Sequence, residues 1–174
     1  MNTILKKTAV TFGLLSGAVS TAMMLVTLPF IQPGREATAD VLGYTSILLS
    51  ALLVFFGVRA FRERSGGRVT FGHGLLVGVG ITLVSTLCYM AAFELMYFKI
   101  APDFGERFAA CMVERARAGG RSAEEIARVA EQAQRLKRLY DNPATNAALT
   151  FATSFPVGLA VSVLSAAILR RRES

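Results

Sequence analysis

The 174-residue chain contains no tryptophan, one histidine and two cysteines, and this scarcity excludes several kinds of site. His73 has no partner at a recognisable metal-ligand spacing, so we expect no metal site. Cys88 lies in an apolar run and Cys111 in a charged segment, which fits neither a disulfide framework nor a zinc site. The chain also lacks a nucleophile–base pair, a phosphate-binding glycine loop and an HExxH motif. We therefore expect no catalytic residue, no cofactor and no enzymatic activity.

Charged residues are scarce as well, at 18% of the chain, whereas 53% of the residues are hydrophobic. This balance is typical of an integral membrane protein rather than a soluble domain. Four apolar runs, 8–31, 41–58, 71–98 and 145–169, are long enough for helices that cross a hydrocarbon core of about 30 Å. The sequence predicts an all-α integral membrane protein, a single domain over 1–174 with four transmembrane helices.

The first apolar run has a competing interpretation as a secretory signal peptide. Lys6 and Lys7 precede it, and Ala18-Val19-Ser20 resembles a cleavage site. The apolar region of a signal peptide spans about 7–15 residues, whereas this run continues through Leu28. We therefore favour a retained transmembrane helix.

The excess positive charge lies on one side of the predicted bundle. With four crossings both termini share a side, and that side carries nine basic residues against Glu63 and Glu173. The basic residues are Lys6, Lys7, Arg59, Arg62, Arg64, Arg68, Arg170, Arg171 and Arg172. The positive-inside rule predicts that this side, with both termini, is cytoplasmic in a multi-pass membrane protein. The same asymmetry explains the net charge of +7 without a nucleic-acid partner.

The segment 99–142 between the third and fourth runs is predicted to be an extracytoplasmic helical hairpin. Asp103 with Glu106, and Ser122 with Glu125, have the spacing of capping boxes, and Gly119-Gly120 separates the two helices. An apolar stripe marks the second helix: Ile126, Val129, Ala130, Ala133, Leu136 and Tyr140. Its own helices, the membrane helices, lipid headgroups or another protein could cover this stripe. We favour packing within the chain.

Glu94 is the one acidic residue inside an apolar run, and intramembrane acids are functional candidates. Its position near the outer end of the third run would allow an outer-mouth polar cluster. The members of that cluster would be Glu94, Tyr97, Tyr44, Asp40 and Asp103. The competing interpretation, which we favour, is a belt of interfacial side chains held by lipid headgroups.

Two pairs of glycines have the GxxxG spacing that lets helices approach closely. Gly13 and Gly17 lie in the first run, and Gly74 and Gly78 lie in the third. The sequence leaves open whether these faces pack within one chain or between two copies.

The chain resembles the bacterial membrane proteins of the domain of unknown function 4199 family over its full length. The resemblance rests on Gly43-Tyr44, Phe56-Gly57, the turn 62–67, Val69-Thr70-Phe71-Gly72, Phe93-Glu94 with Tyr97, Ala101-Pro102-Asp103-Phe104, and Phe155-Pro156-Val157-Gly158. It implies an inner-membrane protein with about four spans and no assigned activity. No functional residue can be transferred from it.

Two functions follow as expectations. The leading one is a non-enzymatic accessory or interaction protein of the cell envelope, with the lipid bilayer, a second copy or another envelope protein as partner. The alternative is an oligomeric small transporter or channel that uses Glu94 in the outer-mouth polar cluster.

Overall fold

The computed structural model describes residues 3–170, apart from the side chain of Glu36, and this part of the chain is helical with short connections. The helices are α1 (Thr3–Thr27), α2 (Glu36–Arg64), α3 (Phe71–Leu95), α4 (Phe104–Ala118), α5 (Ala123–Tyr140) and α6 (Pro143–Leu169). A 3-10 turn, Leu28–Phe30, follows α1, and a π-helical segment, Met96–Ile100, continues α3. Helices α1, α2, α3 and α6 are long and apolar enough to cross a membrane, which confirms the predicted fold class.

Some of these helices extend beyond the apolar runs that predicted them. α1 begins at Thr3 and includes Lys6 and Lys7, and α2 continues through its basic residues to Arg64. Apolarity marks the part of a helix that can lie in hydrocarbon, whereas backbone hydrogen bonding continues into polar surroundings. Hydrophobic runs therefore locate such helices better than they locate their ends.

α3 is the central helix of the bundle, and α1 packs along one side of it through Gly13 and Gly17. A Cβ atom added at Gly13 would lie 2.5 Å from Cβ of Val84, and one added at Gly17 would lie 2.6 Å from Cβ of Cys88. The absence of side chains at these two positions allows close contact between the helices. α1 thus packs as part of the bundle.

The second glycine pair packs α3 against α6 rather than against α1. A Cβ at Gly74 would lie 3.3 Å from Cβ of Ala166, and a Cβ at Gly78 would lie 2.8 Å from Cβ of Ser162. One turn further along, Thr82 occupies the space that Gly158 leaves open. Small residues at every fourth position on both helices make this interface close. Both glycine pairs are therefore used within one chain.

The bundle is closed at the end that carries the chain termini, which we call the basic end. Apolar side chains from all four membrane helices form a buried core there: Leu5, Ala9, Val54, Val58, Phe61, Val69, Val77, Ile81 and Leu169. Val58, Val77 and Ile81 have no exposed surface at all. This core joins α2 to the other three helices at the basic end.

Helices α4 and α5 form the predicted hairpin at the opposite end of the bundle, which we call the hairpin end. The stripe of α5 is buried or half-buried, and Ala133 at its centre is only 2% exposed. α4 is the helix that packs against α5, so packing within the chain covers the stripe.

One of the two predicted capping boxes is present and the other is not. The backbone NH of Ser122 donates to Oε2 of Glu125 at 2.8 Å, and the NH of Glu125 donates to Oγ of Ser122 at 3.3 Å. The carboxylate of Asp103 makes no such cap for α4 and instead accepts from Arg107 at 3.0 Å. An arginine one turn further along the helix competes for the same oxygen, and the spacing of Asp103 and Glu106 does not reveal this competition.

Candidate functional site: a cleft at the hairpin end

A cleft of about 530 Å³ lies between the four membrane helices in the half of the bundle next to the hairpin. Its lining comes from α1, α2, α3 and α6, from the segments that follow α1 and α3, and from the first residue of α4. The lining includes Ser16, Ser20, Met23, Met24, Thr27, Leu28, Ile31, Asp40, Gly43, Tyr44, Ile47, Ser50, Val54, Thr82, Ser85, Thr86, Tyr89, Phe93, Met96, Phe104, Thr153, Ser154, Val157, Gly158 and Val161. Its volume falls within the range of about 300–1,000 Å³ typical of small-molecule sites.

Most of the cleft surface is apolar, and several hydroxyl groups in or beside its walls are bonded to each other. Ser20 and Ser50 join α1 to α2 at 2.7 Å, and Ser85 donates to Ser16 at 3.1 Å to join α3 to α1. Thr82 bonds to Ser162 of α6 at 3.1 Å. Because hydroxyls in an apolar setting need partners, these bonds fix the helices around the cleft.

Asp40 and Tyr44 are the two members of the predicted outer-mouth polar cluster that line the cleft. Both carboxylate oxygens of Asp40 accept from Nη2 of Arg115 in α4, each at 3.1 Å. Tyr44 lies in the lining with 73% of its surface exposed. Asp40 therefore ties the hairpin to α2, rather than facing Glu94.

Tyr97 has a different role, because its ring is buried under the hairpin. Its hydroxyl donates to Oδ1 of Asp141 at 2.8 Å, and Nζ of Lys137 donates to Oδ2 of the same carboxylate at 3.0 Å. The hydrogen bond from Tyr97, followed by that from Lys137, holds the pKa of Asp141 below its ordinary value. Gly105 leaves the space that the Tyr97 hydroxyl occupies. This contact attaches the hairpin to α3.

Glu94 and Asp103 do not join the cleft lining. Glu94 lies seven residues after Leu87 and eleven after Leu83, and both leucines are exposed on that face of α3. Oε1 of Glu94 is buried without a hydrogen-bond partner among the described residues. Within the described part of the chain, no hydrogen bond connects any two of Glu94, Tyr97, Tyr44, Asp40 and Asp103. The structure thus distributes the five residues over separate contacts.

A cluster of aromatic rings between α3 and the hairpin is a feature that the sequence did not single out. Phe93 contacts Tyr89, Tyr97, Phe104 and Tyr140, with ring centroids 5.8–6.1 Å apart. Burial raises the pKa of Tyr140 above its ordinary value. The i, i+4 spacing of the three α3 rings is visible in the sequence, but contacts with α4 and α5 are not. The cluster forms the boundary between the cleft and the hairpin.

The basic end carries the predicted topology anchors as surface groups. Arg59 pairs with Glu63 at 3.0 Å, and Nε of Arg62 donates to the carbonyl of Gly67 at 3.0 Å. Arg64, Arg68 and Arg170 are exposed, whereas Arg171 and Arg172 lie outside the described residues. The hydroxyl of Thr70 is 2.8 Å from Nδ1 of His73. His73 thus lies in the first turn of α3.

Between residues 3 and 170, no three His, Cys, Asp or Glu side chains come close enough to hold a metal ion. A ligand in the cleft would contact mainly apolar side chains and hydroxyl groups. The Asp40–Arg115 ion pair lies at the hairpin end of the cleft.

Comparison with known proteins adds a family but no activity. No curated protein and no solved structure matches the chain. A family described as "Protein of unknown function (DUF4199)" matches residues 11–171, which include most of α1, the other three membrane helices and the hairpin. Since the match covers most of the sequence, the chain belongs to this family of proteins of unknown function.

Proposed function

We propose that the protein is a non-enzymatic accessory protein of the bacterial inner membrane that acts by holding another membrane component in its cleft. The observation that carries this proposal is that the cleft is blind. Below Val54, Thr82 and Val161 the lining ends, and the fully buried side chains of Val58, Val77 and Ile81 follow. A cavity open at one end and packed shut at the other suits binding better than passage.

In the proposed orientation both termini are cytoplasmic and the hairpin is outside. The support is the distribution of charge: the basic end carries Lys6, Lys7 and the arginines around the α2–α3 turn. The segment 99–142 has nine basic and seven acidic residues, so its net charge is only +2. Some of these residues form pairs such as Glu124–Arg128 and Lys137–Asp141. The cleft would then lie in the outer half of the membrane.

The alternative function, an oligomeric transporter or channel that uses Glu94, has one observation in its favour. Oε1 of Glu94 is buried without a hydrogen-bond partner among the described residues, as in some ion-binding carboxylates. The face of α3 that carries Glu94 also carries the exposed Leu83 and Leu87. Any translocation path that used Glu94 would therefore have to run between copies of the chain.

Native mass spectrometry of the protein purified from its membranes tests the proposal whatever the chemical class of the bound component. We expect one retained non-covalent adduct per chain. Gly43→Phe should abolish the adduct, because Gly43 lines the cleft and has open space where a side chain would begin. Leu48→Phe is the matched control, because Leu48 lies on the same helix, exposed and outside the lining.

A flux assay with a cation-sensitive dye in proteoliposomes distinguishes the binding proposal from the transporter alternative. The binding proposal expects no flux above that of protein-free vesicles, for the native chain and for Glu94→Gln alike. An adduct-free protein whose cation flux is lost in Glu94→Gln would overturn the binding proposal in favour of the transporter.

A further inference from the structure

The cleft opens sideways, between α2 and α6, rather than only at the end of the bundle. Every exposed residue in its lining belongs to one of these two helices: Asp40, Tyr44 and Ile47 on α2, and Thr153 and Val157 on α6. The lining residues of α1 and α3 are buried or half-buried, and Thr82 at the back wall is 3% exposed. The two helices that flank the opening are in contact with each other. Toward the basic end both approach α3 at Gly74, where an added Cβ would lie 3.6 Å from Cγ1 of Val58 and 3.3 Å from Cβ of Ala166.

A lateral opening in a membrane-crossing bundle faces lipid rather than water. The level of Ile47 and Val157 lies inside the apolar stretches of α2 and α6. The medium next to the opening is therefore the hydrocarbon of the adjoining leaflet.

The interior of the cleft has few groups that would bind a charged or strongly polar solute. Asp40 is the only charged residue in the lining, and Arg115 already occupies both of its oxygens. The hydroxyls of Ser16, Ser20 and Ser50 have partners within the protein. Largely apolar walls, with several of their hydroxyls already paired within the protein, suit a hydrocarbon chain better than a charged solute.

The rim at the hairpin end has the opposite character. It carries both signs of charge in the Asp40–Arg115 pair and a tyrosine, Tyr44, with its ring 73% exposed. Tyrosines and paired charges are the side chains that lie at the level of lipid headgroups.

From these observations we infer that the cleft binds one phospholipid of the adjoining leaflet. One acyl chain enters between α2 and α6 and lies against the walls of α1 and α3, and the zwitterionic headgroup lies beside Asp40, Arg115 and Tyr44. This inference rests on the proposed binding function and names the class of ligand.

The lack of tryptophan allows a direct test, because a single introduced tryptophan is the only indole in the protein. Three variants are reconstituted in vesicles of zwitterionic phospholipid with or without bromine atoms on the acyl chains, which quench tryptophan on contact. Tyr89→Trp reports on the cleft, Leu87→Trp on the lipid-facing side of α3, and Phe61→Trp on the core at the basic end. Met24→Trp, on the α1 wall, replaces Tyr89→Trp should that variant fail to fold.

We expect bromolipid to quench Tyr89→Trp and Leu87→Trp to the same fraction, and to leave Phe61→Trp largely unquenched. Adding Gly43→Phe to Tyr89→Trp should remove most of this quenching, whereas adding it to Leu87→Trp should change nothing. Quenching of Tyr89→Trp that persists with Gly43→Phe would overturn the inference, because the lipid would then reach the indole without entering the cleft.

Two other outcomes also overturn the inference. Quenching of Tyr89→Trp by external iodide but not by bromolipid would make the cleft an aqueous vestibule. Quenching by neither would make it a closed cavity. Since the native mass measurement is independent of ligand class, an adduct that survives there while bromolipid fails would reject the phospholipid and retain the binding function.

Discussion

Tyr97 shows how a single side chain can look like part of a site and serve another purpose. Its position near the end of the third apolar run suggested a polar group facing the membrane surface. In the structure its hydroxyl holds Asp141, 44 residues further along the chain, and Gly105 makes room for it. Sequence spacing identifies neither partner, because both contacts depend on how the hairpin folds back onto α3.

Tyr97→Phe should loosen the hairpin by about 0.5–1.5 kcal/mol, the net value of one hydrogen bond. Hydrogen exchange in α4 and α5 measures this as faster exchange of their amides. Tyr44→Phe is the control, since this exposed ring should have no such effect. Equal exchange in Tyr97→Phe and the native protein would show that the bond contributes nothing to docking.

The same contact has a defined pH dependence. Hydrogen bonds from Tyr97 and Lys137 lower the pKa of Asp141 below its ordinary value of 3.8, so they stabilise the ionised carboxylate in the folded protein. The resulting stability is fully present above pH 3.8 and is lost as the pH falls through the folded-state pKa. The exchange difference between Tyr97→Phe and the native protein should therefore shrink below that pH. A difference that grows on acidification would contradict this account.

Gly78 illustrates a residue whose importance lies in the atoms it lacks. Gly78→Ala should destabilise the bundle by about 1–3 kcal/mol, because the new Cβ would overlap Ser162 on a packed helix. Gly43→Ala is the matched control: its Cβ meets nothing within 4 Å, and it should stabilise α2 by up to about 1 kcal/mol. Thermal unfolding in detergent distinguishes the two. Equal effects would mean that the α3–α6 contact is looser than described.

At the scale of elements, hydrophobicity predicted the four membrane helices well because membrane insertion is a local property of a segment. The sequence also predicted the Ser122–Glu125 cap, because the two residues that form it are only three positions apart. The sequence did not predict which helices pack against each other. Gly13 and Gly74 carry the same GxxxG signal, yet one pair contacts α3 and the other contacts α6. The choice depends on the opposing surface, which a single segment does not reveal.

The hairpin is an element whose two helices should depend on each other. Ala133→Leu should destabilise it by about 1–3 kcal/mol, because Ala133 is buried at the centre of the α5 stripe. Ala127→Leu, on the exposed face of the same helix, should be close to neutral. Limited proteolysis between α4 and α5 reports the difference. Tolerance of Ala133→Leu would indicate that the stripe packs against something other than α4.

At the scale of the whole molecule, the sequence could not predict the cleft. Its walls come from five helices and from the segments that follow α1 and α3, so its shape depends on how these parts of the chain pack together. Ser20 and Ser50 are ordinary polar residues within apolar runs when each is considered alone. Their role in joining α1 to α2 becomes apparent only in the fold, where their hydroxyl oxygens lie 2.7 Å apart beside the cleft.

The proposed orientation of the molecule decides which leaflet adjoins the cleft, and the charge of the basic end supports this orientation. Side-specific thiol labelling in cells tests it most directly. The native Cys111 is a poor reporter because it is buried, so both native cysteines are first replaced by alanine. Single cysteines are then introduced at Gln132 on the exposed face of α5 and at Ser65 in the basic turn.

The account predicts that a membrane-impermeant reagent, applied after the outer membrane is opened, labels Gln132→Cys and not Ser65→Cys. Ser65→Cys should become reactive only when the inner membrane is breached. Labelling of Ser65→Cys alone would invert the orientation and place the cleft in the inner leaflet. Labelling of both variants from one side would contradict the four-crossing bundle itself.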